Sequence, residues 1–147
     1  MATVTGTERT AEVTWRGSLT EGSGTIESVG SGAFGPLPVS WKARTEQPDG
    51  ETSPEELIAA AHAACFSMAF SGDLAKSGTP PESLSSVAHV TFVPGTGITR
   101  IAIDVEGVVP GIGDAEFRQA AERARDGCPV SQAVKGNVDL SVRASLK

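Results

Sequence analysis

The residues best equipped for chemistry are two cysteines, Cys65 and Cys128, the only sulfhydryls in the chain. A pair of thiols is too few for a disulfide-built scaffold or a four-ligand zinc site. In a reducing compartment such a pair either packs inertly or does redox chemistry, and the local sequence decides which. Cys65 falls near the middle of an apolar stretch, where dry surroundings raise a thiol pKa and neither helix end reaches strongly. Cys128 precedes Pro129 at an expected helix start, where free N–H groups favour a thiolate. On these local rules Cys128 is the more reactive sulfur. Cys65 becomes nucleophilic only if a cation reaches it through the fold. Arginine suits that task, because it keeps its charge when buried and aims two donors at one place. His62 shares a helix face with Cys65, but two ligands make a poor metal site. It reads as a hydrogen-bonded interface residue, not as a ligand or base. His89 sits in a strand pattern and receives no role.

These side chains must be positioned by a chain of 147 residues, which fits one domain spanning 1–147. Seventeen glycines and nine prolines mark it as rich in turns, and a hydrophobic share of 39% argues against disorder. A net charge of −6 disfavours nucleic acid and anionic membrane surfaces as partners. The apolar stretch from Leu57 to Phe70 is short for a bilayer and is interrupted by His62 and Ser67. No basic-then-apolar leader is visible at the N-terminus, so a cytoplasmic location is expected.

Residues 11–16 alternate as a half-buried strand, and 25–29 form a second. Residues 30–38 read as a loop. Val39, Trp41 and Ala43 alternate with Ser40, Lys42 and Arg44 as a third strand, with a polar loop at 45–52. Ser53, Pro54 and Glu56 form a capping-box start for a helix that runs to about Ser77 and stops at Gly78. Its middle lacks a polar face, so it is expected to be buried all round, most simply against the same helix of a second subunit. Residues 87–93 and 98–109 form a hairpin, with Ile101, Ile103 and Val105 on one face. Asp114 is expected to cap a helix reaching Asp126, Cys128-Pro129 opens a short helix to about Val134, and 138–144 form the last strand. The order implies an α+β fold with antiparallel sheets. Phe34, Leu37, Phe66, Met68 and Phe70 are assigned to the core, with a pocket for an organic group as a secondary use.

The run from Ser53 to Ala69, with His62-Ala63-Ala64-Cys65-Phe66 at its centre, resembles the signature helix of the OsmC/Ohr family. Val109-Pro110-Gly111-Ile112 and Gly127-Cys128-Pro129-Val130-Ser131-Gln132 resemble its second signature, and the wording is that of the OsmC branch. The resemblance covers essentially the whole chain. It implies an OsmC-like fold in an intertwined homodimer with paired central helices. It also implies a thiol peroxidase that reduces organic hydroperoxides, and hydrogen peroxide less well, without a cofactor or metal. An external dithiol, such as a lipoyl-type one, would be the reductant. By this resemblance Cys65 is the peroxidatic and Cys128 the resolving residue, which reverses the order drawn from local rules. The family's arginine corresponds to Arg44, with Arg16 the alternative, and its glutamate corresponds to Glu55.

On one helix, Glu55 and Cys65 would be about 15 Å apart along the axis and about 80° apart around it. No glutamate side chain covers that separation. Action of Glu55 near Cys65 is therefore expected across the subunit interface. The rival expectations are a non-catalytic dimer that binds an apolar ligand in the interface pocket, and a purely structural dimer with buried cysteines.

Overall fold

The computed structural model describes residues 6–147. The chain forms two compact units, one ending at Pro54 and the other spanning Glu55–Lys147.

The first unit holds an antiparallel sheet of β1 (Ala11–Arg16), β2 (Ser23–Val29) and β3 (Leu37–Val39), in that order. Gly24 faces Trp15 across the β1–β2 ladder, and a β-carbon there would come within 2.6 Å of the indole ring. Only glycine leaves room for the ring to lie on the neighbouring strand. The strand expected over Val39–Arg44 is corrected here. Residues 37 and 38 of the expected loop pair with β2, and Trp41–Thr45 form a short helix, α1. Ser40 explains the switch: its backbone is extended while its Oγ accepts the Ala43 N–H at 3.1 Å, an N-cap. The turn is held further by the Thr45 hydroxyl donating to the Trp41 carbonyl at 2.9 Å. The Arg44 guanidinium also lies over the Trp41 ring, 5.7 Å from its centroid.

The second unit opens one residue into α2 (Pro54–Lys76), which ends where the sequence signals end it. Gly78 takes φ +88°, its N–H reaches the Ala75 carbonyl, and the Thr79 N–H reaches that of Leu74. This is a Schellman stop. A hairpin of β4 (Ser83–Val93) and β5 (Gly97–Val108) follows, then α3 (Asp114–Gly127), α4 (Pro129–Val134) and β6 (Asp139–Leu146). Gly113, not Asp114, occupies the N-cap of α3, and Asp114 is its first helical residue. The sheet order is β4-β5-β6, with β4 antiparallel and β6 parallel to β5. The expected all-antiparallel pairing therefore fails at β6, because α3 and α4 carry the chain back to the starting end of β5 before β6 begins. The core gathers Ile101, Ile103 and Val105 of β5, Phe117 and its neighbouring alanines of α3, and Phe66, Phe70 and Leu74 of α2. On the solvent face, Asp104 accepts from both His89 and Arg143, each at 3.1 Å. Arg143 foremost holds that carboxyl below its usual range.

Burial of α2 differs from the expectation. His62, Phe66, Phe70 and Leu74, four residues apart in turn, form a single buried face. The opposite side carries Ala60, Ala64, Met68 and Gly72, all exposed within the single chain. Met68 is 75% and Phe34 45% exposed, so neither is a core residue of one chain. Phe66 and Phe70 are fully buried, and Leu37 is half-buried. The whole of α2, longer than the apolar stretch 57–70, is long and apolar enough to cross a bilayer by length and composition alone. Its buried face, however, is committed to the protein core and carries the polar His62 there.

Candidate active site

Pro129 disfavours helical backbone at the residue before it, and Cys128 is accordingly extended, at φ −70° and ψ 138°. The chain thus breaks between α3 and α4 at the cysteine itself. Cys128 closes α3, its N–H bonding to the Ala124 carbonyl at 3.0 Å, and also caps α4, its sulfur accepting the Ser131 N–H at 3.4 Å. The sulfur is fully buried and lies 3.2 Å from the Ser131 hydroxyl. That hydroxyl meets His62 Nε2 at 2.7 Å, so α2 and α4 are joined by a chain of polar contacts ending on Cys128.

Cys65 approaches the same place from α2. It is half-buried, and its thiol interacts with the backbone of Val130 and with Cys128. The two cysteines are not joined as a disulfide. Burial pushes the Cys65 thiol above its ordinary value. Val130 opposes this by a hydrogen bond, and Cys128 adds to it through its charge and by accepting a hydrogen bond. The two sulfurs are therefore a coupled pair, in which charge on one disfavours charge on the other.

The structure thus brings Cys65 and Cys128 together. Glu55 is 7% exposed in the first turn of α2, ten residues before Cys65 on a continuous helix, so the axial separation inferred from sequence holds. Arg44 is half-buried on α1 and Arg16 is exposed at the end of β1, both in the first unit. Arg44 therefore stands on a helix, not on the strand expected for it. His62 is corrected in part. It is hydrogen-bonded, as expected, but it is wholly buried inside one chain and not on a surface open to a partner. Burial lowers its pKa, so it is a neutral imidazole. Ser131 was given no role by sequence reasoning. The available signal was its position three residues after a helix-capping cysteine, where its N–H must face the cap. Among the described residues, His, Cys, Asp and Glu nowhere gather in threes that could hold a metal.

The chain is similar in sequence and in fold to known proteins. Residues 47–143 match the OsmC-like protein family. The chain is 43% identical to the peroxiredoxin OsmC of Escherichia coli K12 over 129 residues, 86% of this chain and 89% of that protein. It is 35% identical to an organic hydroperoxide resistance protein of Xanthomonas axonopodis pv. citri, over 62% of this chain and 65% of that one. Among solved structures, an organic hydroperoxide resistance protein OsmC of Legionella pneumophila superposes with a TM-score of 0.67 at 25% identity. That match covers 92% of this chain and 96% of the other.

Proposed function

The chain belongs to the OsmC-like family, and from that premise we propose that it is a cysteine-based peroxidase acting on organic hydroperoxides, and on hydrogen peroxide less well. The observation that carries the reading is the meeting of two cysteine side chains, one from the middle of α2 and one from the α3–α4 break. The Cys65 thiolate attacks the terminal oxygen of the O–O bond. The bond breaks, the alkoxide takes a proton and leaves as alcohol, and Cys65 is left as a sulfenic acid. Cys128 then condenses with it to a disulfide, expelling water, and an external dithiol of lipoyl type restores both thiols. We read the two compact units as one functional domain, working in the reducing cytoplasm.

The groups that reach Cys65 within its own unit leave its thiol raised, so the attack requires a cation. An arginine at contact distance would increase the thiolate population about 10- to 1,000-fold and would stabilise charge on the departing oxygen. Arg44 is assigned this role ahead of Arg16, with Glu55 holding the guanidinium in a bidentate pair.

A homodimer fits the uncovered side of α2. Ala60, Ala64 and Gly72 allow close backbone approach, and Met68 supplies adaptable apolar surface. Burying a charge at that seam is unfavourable, so Met68→Glu should yield monomers in sedimentation velocity. If the variant sediments as the wild type does, the seam is elsewhere. Mixed dimers of Cys65→Ser and Glu55→Ala subunits test the geometry of Glu55. Acting across the interface, one site keeps both groups and the mixed dimer stays active. A fully inactive mixed dimer rejects that arrangement. The reading as a whole is tested by peroxide consumption with cumene hydroperoxide and a dithiol. Cys65→Ser should abolish turnover and Arg44→Ala reduce it more than Arg16→Ala. A wild type whose Cys65 survives excess peroxide would instead be a binding protein.

A further inference from the structure

The cycle above leaves unused the groups that hold the Cys128 sulfur. Ser131 is 1% exposed and directs both its N–H, at 3.4 Å, and its hydroxyl, at 3.2 Å, to that sulfur. Behind the hydroxyl stands His62, fully buried, with Nε2 at 2.7 Å. The other ring nitrogen, Nδ1, is buried and has no hydrogen-bond partner among the described residues. That orphan atom distinguishes the tautomers. A buried lone pair left bare is tolerated more readily than a buried N–H without an acceptor. The proton of the neutral ring therefore belongs on Nε2, which donates to Ser131 Oγ. With its lone pair so engaged, the hydroxyl has its own hydrogen free for the Cys128 sulfur. Two donors from one residue then converge on that atom, and donors of this kind favour the charged form of their acceptor.

We propose that His62 and Ser131 form a positioning pair for the resolving half of the cycle, holding the Cys128 sulfur by hydrogen bonds and directing it at Cys65. The inference rests on the peroxidase reading, in which Cys128 resolves the sulfenic acid. In that step an electron pair on the Cys128 sulfur forms the S–S bond while the Cys65 S–O bond breaks. Hydroxide leaves and takes up a proton as water. The Cys128 sulfur is oxidised by one, the Cys65 sulfur is reduced by one, and no further reactant is needed. His62 touches neither reacting sulfur through this contact and acts by orienting the serine hydroxyl.

Single-turnover kinetics on the full-length reduced protein with cumene hydroperoxide separate the two halves. Sulfenic acid is trapped with dimedone, and disulfide closure is followed by thiol loss. Losing a hydrogen bond to a charged sulfur lowers the thiolate population about 10- to 100-fold. A less stabilised thiolate is intrinsically more nucleophilic, with a Brønsted coefficient of about 0.4–0.5, so closure should slow by about 3- to 10-fold. Ser131→Ala and His62→Leu should show this slowing of closure relative to sulfenic acid formation. Ser131→Thr keeps the hydroxyl, and His62→Gln offers an N–H donor near the position of Nε2, so both should restore closure. The proposal is overturned if natively folded Ser131→Ala closes at the wild-type rate, or if His62→Gln is as slow as His62→Leu. If the wild type forms neither sulfenic acid nor disulfide, the peroxidase reading fails by itself. The pair is then judged by the thiolate ultraviolet absorbance of Cys128 in a Cys65→Ser background. Ser131→Ala must lower that absorbance, and an unchanged signal refutes the pair.

Discussion

Replacing Cys128 by serine should make Cys65 more reactive toward an alkylating reagent, although it removes the second thiol of the pair. Cys128 raises the Cys65 thiol twice, by the repulsion of a neighbouring negative sulfur and by accepting a hydrogen bond that keeps the Cys65 proton in place. The Val130 hydrogen bond, which acts in the opposite sense, belongs to the backbone and survives the substitution. Burial also remains, and the serine hydroxyl can still accept a hydrogen bond. The Cys65 thiol therefore falls toward its ordinary range through loss of the neighbouring charge, without the substitution removing its largest perturbation. Cys65 is itself half-buried, so its interaction with the buried Cys128 is partly screened by water and is worth about 0.2–1 kcal/mol. That corresponds to a gain of about 1.4- to 5-fold in thiolate at fixed pH below the thiol's midpoint. Only the thiolate alkylates, so the second-order rate with iodoacetamide rises by the same factor. Peptide mapping assigns the modified cysteine, and a pH series of rates should show the midpoint moving down in Cys128→Ser. A slower rate with the midpoint moving up would refute the reasoning, since it would mean that Cys128 stabilises the Cys65 thiolate.

Two further outcomes concern the surroundings of the site. The folded-state pKa of His62 is depressed by burial, so the unfolded chain takes up its proton first. Stability is therefore retained above about pH 6.5 and lost as pH falls below it, by at most about 1.4 kcal/mol per pH unit. Urea midpoints between neutral and mildly acidic pH should show this slope, and His62→Gln should flatten it. An unchanged slope would mean that His62 is not the titrating group. A β-carbon at Gly107 of β5 would lie 2.7 Å from the ring of Phe117, which is fully buried. Gly107→Ala should destabilise by about 1–3 kcal/mol, seen as a lower urea midpoint, and a wild-type midpoint would show that the core yields there.

What could be read from the sequence was what local chemistry controls. The strand over residues 11–16 and the start of α2 at Pro54 coincide with their signals, and so does the stop at Gly78. Those signals are alternation, a proline at the first helical position and a glycine free to take positive φ. The helix at Trp41–Thr45 escaped because five residues are too few for a helical period to outweigh an alternating one. A single serine hydroxyl on the Ala43 N–H decides between them. Alternation also says that a residue run is a strand without giving its direction, so the parallel pairing of β6 with β5 could come only from the crossover through α3 and α4. The exposed side of α2 shows the same limit. An apolar helix declares that it must be covered, not whether its own chain covers it. At the site, the cysteines and their roles rested on the family resemblance, because local rules favoured Cys128. The His62–Ser131 contact joins residues 69 positions apart and is created only by the packing of α4 against α2.

The central claim is that an organic hydroperoxide delivers its oxygen to Cys65 and that Cys128 closes on the product. It is tested most directly by adding one equivalent of cumene hydroperoxide to the reduced protein, digesting under acid quench and mapping the cross-linked peptides. The account predicts loss of both thiols per chain and a single Cys65–Cys128 disulfide in the wild type, with Cys128→Ser trapping a sulfenic acid on Cys65. Both thiols surviving intact, or oxidation confined to Cys128, would contradict it.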